Sequence, residues 1–508
     1  MQKRLEDNKR IAKNTLILYL RTLFILIVKL YTSRLILQYL GIEDYGIYNI
    51  IGSFITMFTI FNGALTTSIQ RFLTYSLGER DISKVKEVFS ASLIILLSLS
   101  FLIVLIAETV GLWYVNNKLN IPTERLTATN WVYQFTILTF ILDVITVPYN
   151  SILTAYENFK AFAYFDILNT LLTLLLVLSI PYIYLDHLIW YGLGLLIIAI
   201  VIRYIYSFYC RRHYEASHFS LNYNKRLFKQ LFVFSFYSFF GNMGSVIGEG
   251  GINLVINFFF GVTLNATRGI STQVSNAVGG FIRSFTTALN PQITKSYAEH
   301  DLTRCQELVF NSAKYSFLLL MLFLIPVIIN IKSILMLWLT NIPPQSEIFI
   351  QLMLIQSLIH ILFNPITTIV NATGNIKAYQ IGTFIILISN IIFIFIIYQL
   401  KYPAYSGIIV QCIITFIQLL YSVYVMQKIT GISGSLFFKK IVIPNFSIFL
   451  LTLFTTYILK NWITTMQIHF MVSIILSLIT STTMCLFLGI NKSNRNKIYK
   501  IIINKIRS

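Results

Sequence analysis

The chain has 508 residues, 56% of them hydrophobic and only 11% charged, with a formal net charge of +20. Soluble proteins carry roughly 25% charged residues, so this composition excludes a water-soluble globular fold. The basic residues sit between apolar runs and not on one soluble face, which argues against a nucleic-acid partner. Cys210, Cys305, Cys412 and Cys485 are isolated, with no CxxC or Cys/His cluster, so neither a disulfide framework nor a metal site is expected.

The N-terminus is basic, and the first apolar run is too long for a signal-peptide core, so it is expected to stay as the first helix. Runs of Ile, Leu and Phe lack the period-2 alternation of an outer-membrane barrel. Length and polarity predict about 14 membrane helices. The first six are Asn14–Gln38, Tyr45–Gln70, Val88–Val110, Asn130–Ala155, Phe162–Tyr184 and Leu188–Cys210. Six more are Leu231–Phe260, Arg268–Asn290, Ser312–Leu335, Ile348–Ala372, Ala378–Tyr398 and Tyr405–Met426, followed by Ile441–Leu459 and Ile468–Leu488. With both termini in the cytoplasm, the outer loops hold only Lys118, Arg125, Lys401 and Lys460, as the positive-inside rule requires. The basic tail, residues 491–508, is amphipathic from Lys492 on and suits an anionic inner leaflet.

An internal repeat sets the organisation. At one constant offset Thr74, Ser76, Glu79, Asp81 and Glu87 match Thr294, Ser296, Glu299, Asp301 and Glu307, and Gly41 falls on Gly261. The matches follow the second and the eighth helix, so the expected fold is an all-α integral membrane protein built of two parallel six-helix repeats around a central cavity, with two C-terminal helices added. The expected divisions are 1–210, 211–428, 429–490 and the tail. Such a repeat points to alternating access, hence to a transporter and not an enzyme or receptor.

Four helices carry polar stripes at helical spacing, and in lipid such stripes must face protein or water. They contribute Arg21 and Lys29, then Asn49 and Gln70, then Asn242, Glu249 and Asn253, then Arg268, Arg283 and Asn290. A charge at the bilayer centre costs at least ~2.5–3.5 kcal/mol on insertion scales. Four cations against one acid therefore predict an anion-binding lining, with arginine forks suited to phosphate. Arg21, Lys29, Arg268 and Arg283 are the candidate diphosphate ligands. Asp143 and Glu249 either carry a coupling proton or neutralise an arginine. Helix seven contains GNMGSVIGEGG at Gly241–Gly251, which reads either as a hinge or as a close-packing face.

The stretches YTSRLILQYLGIEDYGIYNIIG (Tyr31–Gly52), FNGALTTSIQRFLTYSLGERD (Phe61–Asp81) and ATRGISTQV…ALNPQITKSYA (Ala266–Ala298) resemble the multidrug/oligosaccharidyl-lipid/polysaccharide exporter superfamily, and within it the Wzx-type O-antigen and polysaccharide flippases. The resemblance implies flipping of undecaprenyl-diphosphate-linked oligosaccharide across the bacterial inner membrane. It implies no cofactor, coupling to an ion gradient or the membrane potential with a proton or sodium as candidates, and membrane lipids, a polysaccharide polymerase and chain-length machinery as partners. A multidrug/cation antiporter would need an acid on helix one, which has none between Asn14 and Gln38. A peptidoglycan-precursor flippase shares the diphosphate and stays open. A membrane glycosyltransferase or polymerase needs a catalytic acid on a large outer loop, and the largest, 111–129, offers Glu124 and no His.

Overall fold

The computed structural model describes residues 2–56, 59–117, 121–220, 224–338, 342–464, 470–490, 492 and 495, with the side chains of a few of these, Asn49 among them, outside the description. The described residues form helices and connecting turns, without strands. In chain order they are α1 (Gln2–Thr56), α2 (Thr59–Gly78), α3 (Ile82–Ile106), α4 (Leu112–Asn117), α5 (Leu126–Ala155), α6 (Phe159–Ser179), α7 (His187–His213) and α8 (Lys225–Ala298). There follow α9 (Leu302–Trp338), α10 (Ser346–His360), α11 (Phe363–Thr373), α12 (Lys377–Gln399), α13 (Ser406–Thr430), α14 (Gly434–Phe437), α15 (Ile443–Thr464) and α16 (Phe470–Met484). Short π-helical turns join α3 to α4 and α14 to α15.

Twelve helical stretches among the described residues are long and apolar enough to cross a membrane, against the expected count of about 14. The two expected spans not among the twelve, Tyr45–Gln70 and Arg268–Asn290, are helical over their described residues. Tyr45–Gln70 includes residues outside the description, Arg268–Asn290 is rich in Asn, Thr, Ser, Gln and Arg, and both are among the four polar-striped helices. The protein is thus a multi-pass membrane protein whose most polar helices are the repeat-related ones.

The repeat is visible in the backbone. Gly41 (φ 79, ψ 171) breaks α1, and Gly261 (φ 76, ψ −171) breaks α8 in the same way. This is a conformation open to glycine because it has no Cβ, and a Cβ at either position would meet nothing within 4 Å, so backbone geometry and not space demands the glycine. The turns after α2 and α8 also coincide. Arg80 (φ 60) and His300 (φ 59) are both left-handed, and the Asp81 and Asp301 carboxylates each accept from the backbone N–H three residues on, at 2.9 Å. A second correspondence pairs Pro148, Ile152, Ala155, Asn158 and Lys160 with Pro365, Ile369, Ala372, Asn375 and Lys377. Within it Glu157 (φ 60) and Gly374 (φ 80) share the left-handed turn.

The chain forms two compact units. One comprises Met1–Met243 with Thr294–His300, the other Gly244–Ile293 with Asp301–Ser508. The first is cored by Leu35, Leu40, Val177, Ile180 and Tyr191, the second in part by Ile252, Ile256, Ile394 and Tyr398. In the second, α16 docks on α9 where Pro326 and Asn330 distort the helix: Asn330 donates to the Pro326 carbonyl (3.0 Å) and accepts from Ser473 (2.6 Å).

The boundary Met243–Gly244 falls inside the glycine-rich segment of α8, which is continuous helix. Gly244 lies against Phe384, Gly248 against Leu387 and Gly251 against Ile391, all on α12. A Cβ on Gly251 would come within 2.4 Å of Ile391 Cδ1, whereas one on Gly250 would meet nothing within 4 Å. Close packing therefore accounts for three of these glycines and leaves Gly250 without a packing reason.

Candidate substrate-binding residues

On α1, Arg21 does not stand alone. Its guanidinium pairs with Asp166 of α6 and lies over the Phe162 ring at 4.8 Å, while its Nε is buried without a hydrogen-bond partner. Lys29, two turns further on, is exposed and acts electrostatically on the same carboxylate. Arg21 of the α1 stripe thus faces α6 of its own unit. Sequence reading missed Asp166 because it lies four residues inside the expected start of its span and reads as an end-of-helix acid.

The cations of α8 have different neighbours. Arg268 is 5% exposed and donates to Asn253 Oδ1 and to the Glu249 carbonyl (3.1 Å). Fifteen residues of straight helix would separate Arg268 from Asn253 by ~22 Å. The break at Gly261 folds the chain back and brings three predicted site residues together. Arg283 is exposed, with Nη2 donating to the Asn276 carbonyl at 3.3 Å, and His360 of α10 lies within its electrostatic reach.

The remaining candidates divide by neighbour. Asn242 donates to Ser238 O (2.9 Å) and its Oδ1 lies beside Gly63 of α2, where a Cβ would approach to 3.3 Å. Gln70 is half-buried on α2, and the side chain of Asn49 lies outside the described residues. Asn290 accepts from Thr368 (3.0 Å) and Thr286 accepts from Asn364 (2.8 Å), so this end of the α8 stripe is turned onto α11. Asp143 is exposed on α5 and makes no hydrogen bond or ion pair among the described residues; Glu249 is exposed on α8.

Other charged residues emerge only in three dimensions. Arg71, expected between helices, is in α2 with its guanidinium near the rings of Phe72 (4.4 Å), Tyr75 (4.6 Å) and Phe234 (5.8 Å). Arg203 of α7 lies over Tyr149 at 4.3 Å. Glu157, between α5 and α6, has a side chain only 1% exposed and is held by Arg10 (2.8 Å) and Lys295 (2.7 Å), while Asn14 donates to its carbonyl. Arg125 bridges Asp44 and Asp186. Asp186 also caps α7, accepting from Leu188 and Ile189 N–H. Burial pushes its carboxyl up, but the Arg125 hydrogen bond and charge and the two N–H groups outweigh that and hold it below the usual carboxylate range.

Solved structures share this architecture. A MATE transporter in the straight conformation is 12% identical over 84% of this chain and 97% of its own, with a TM-score of 0.73. The bent conformation gives 13%, 84%, 96% and 0.73. A MOP superfamily transporter from Pyrococcus furiosus, described as having a binding pocket of reverse polarity, gives 13%, 82%, 96% and 0.67. At such identity these likenesses establish the fold alone. No curated protein matches the chain. The family profile described as polysaccharide biosynthesis protein matches residues 11–297, more than half of the sequence, and the chain belongs to that family.

Proposed function

We propose that this protein flips an oligosaccharide carried on undecaprenyl diphosphate, an O-antigen or capsule repeat unit, from the inner to the outer leaflet of the bacterial inner membrane by alternating access, without catalysing a reaction. The observation that carries the reading is Arg283, an exposed guanidinium on a helix the sequence reads as membrane-spanning, which among the described residues donates to a backbone carbonyl. A cation at the bilayer centre costs at least ~2.5–3.5 kcal/mol unless water or an anion meets it. Exposed Lys29 and buried Arg268, whose direct contacts are to an amide and a backbone carbonyl, add to the same sign, with Glu249 the acid that acts on Arg268. Membership of a polysaccharide biosynthesis family supplies a reason for the anion to be a glycan carrier.

In this reading both termini are cytoplasmic, Arg21, Lys29, Arg268 and Arg283 serve the diphosphate, and Asp143 and Glu249 are the coupling candidates for a proton or sodium. Membrane lipids and the polysaccharide polymerase are the partners. The likeness to MATE transporters favours a cation antiporter as the second reading. Against it, α1 has no acid from Asn14 to Gln38, and the Pyrococcus furiosus transporter supports a reversible pocket sign on this fold.

The test is a strain lacking the protein and any paralogue. Lipid-linked oligosaccharide should accumulate on the cytoplasmic leaflet and the surface glycan should disappear. Normal surface glycan would sink the proposal; rescue by a dedicated peptidoglycan-precursor flippase would reassign the head group.

A further inference from the structure

Resting on the proposed diphosphate substrate, we infer that Asp166 is the resting counter-ion of Arg21 and that the incoming diphosphate takes its place. Three observations carry this exchange. The first is incomplete satisfaction. Arg21 meets Asp166 through one terminal nitrogen, and its buried Nε has no acceptor. A guanidinium offers five N–H donors in a planar fork, so a single-contact carboxylate leaves most of its capacity unused. A diphosphate presents several oxygens to that fork and forms paired, charge-assisted bonds. The second is access. The Arg21 and Asp166 side chains are 24% and 25% exposed, so a ligand can reach the pair without unfolding it.

The third is what remains after exchange. Removing one partner of an ion pair is costly because the other charge is left uncompensated. Here Lys29 already acts on Asp166 from the same helix as Arg21, so the released carboxylate keeps a cation. Tyr206 of α7 lies within reach of the same carboxylate, and the Phe162 ring holds the guanidinium in place while its anion changes. Arg283 has no such internal competitor among the described carboxylates. The two arginines therefore differ: Arg21 accepts an anion only by giving up Asp166, and Arg283 has no carboxylate to give up.

The experiment measures binding of undecaprenyl diphosphate, without glycan, to the full-length protein in nanodiscs. If Asp166 occupies Arg21 about nine-tenths of the time, removing its charge tightens apparent binding about tenfold. Asp166→Asn should show that gain, and Asp166→Glu, which restores a carboxylate, should return to within about twofold of the wild type. Wild-type protein that binds the probe, with Asp166→Asn binding equally or more weakly, overturns the exchange and leaves the proposed function standing. Wild-type protein that does not bind the probe overturns both. Should Asp166→Asn fail to insert, carbodiimide labelling of Asp166 in the wild type decides: labelling rises severalfold on adding the probe if the carboxylate is released, and unchanged labelling overturns the exchange.

Discussion

The two units share a backbone plan and differ in how they treat positive charge. In the first unit, Arg10 and Lys295 meet Glu157, Arg21 meets Asp166, and Arg125 meets Asp44 and Asp186. In the second, the cations of α8 rest on neutral oxygens: Arg268 on an amide and a carbonyl, Arg283 on a carbonyl. Among the described residues, Arg304 and Glu307 form an ion pair in this unit, in the first turns of α9. Gly41 and Gly261, and the turns at Arg80 and His300, show that topology was kept while charge pairing diverged. Neutral oxygens satisfy donors without cancelling charge, so the direct contacts of Arg268 and Arg283 leave their charge in place, with the Glu249 carboxylate acting on Arg268, while the first unit spends much of its own in direct ion pairs.

The contrast can be broken most severely at Glu157. Glu157→Ala removes the carboxylate that Arg10 and Lys295 share and should lower stability by about 3 kcal/mol, the low end for a broken buried pair because Arg10 is half exposed. Thermal unfolding in detergent checks this, and an unchanged midpoint would show the pairing to be idle. Next in size is Gly251→Ala, whose methyl must displace Ile391 and should cost ~1–3 kcal/mol. Gly250→Ala meets open space and should be stability-neutral or mildly favourable, so a slowed transport rate in that variant alone would identify a hinge at Gly250.

Arg283→Ala sharpens the comparison from the other side. With no carboxylate to orphan, it should change stability by no more than ~0.5 kcal/mol while transport falls at normal expression. Full transport in proteoliposomes would remove Arg283 from the site. The smallest effect concerns Asp186. Its carboxyl is held below the usual range, so the stability it contributes is complete above its unfolded pKa of about 3.9 and is lost as pH falls through the lower folded value. Asp186→Asn should flatten the acid limb of an unfolding-versus-pH curve, and an unaltered limb would assign acid sensitivity elsewhere.

The sequence by itself determined that this is a polytopic helical membrane protein, because lipid forces every backbone group into helix and the needed runs of apolar residues are legible one by one. It determined the repeat, because glycines at positive φ and turn-capping aspartates are local demands that leave fixed residues at fixed spacing. It also exposed the polar stripes, since helical spacing places a stripe on one face. It could not decide what each stripe faces. Asn290 and Thr286 look like cavity residues in one dimension and are turned onto α11, Arg21 looks unpaired and meets Asp166 145 positions away, and Glu157 looks like a loop acid and is buried between Arg10 and Lys295. Whether a charge is spent or available depends on the group opposite it in space, and only the tertiary structure brings distant helices to that distance.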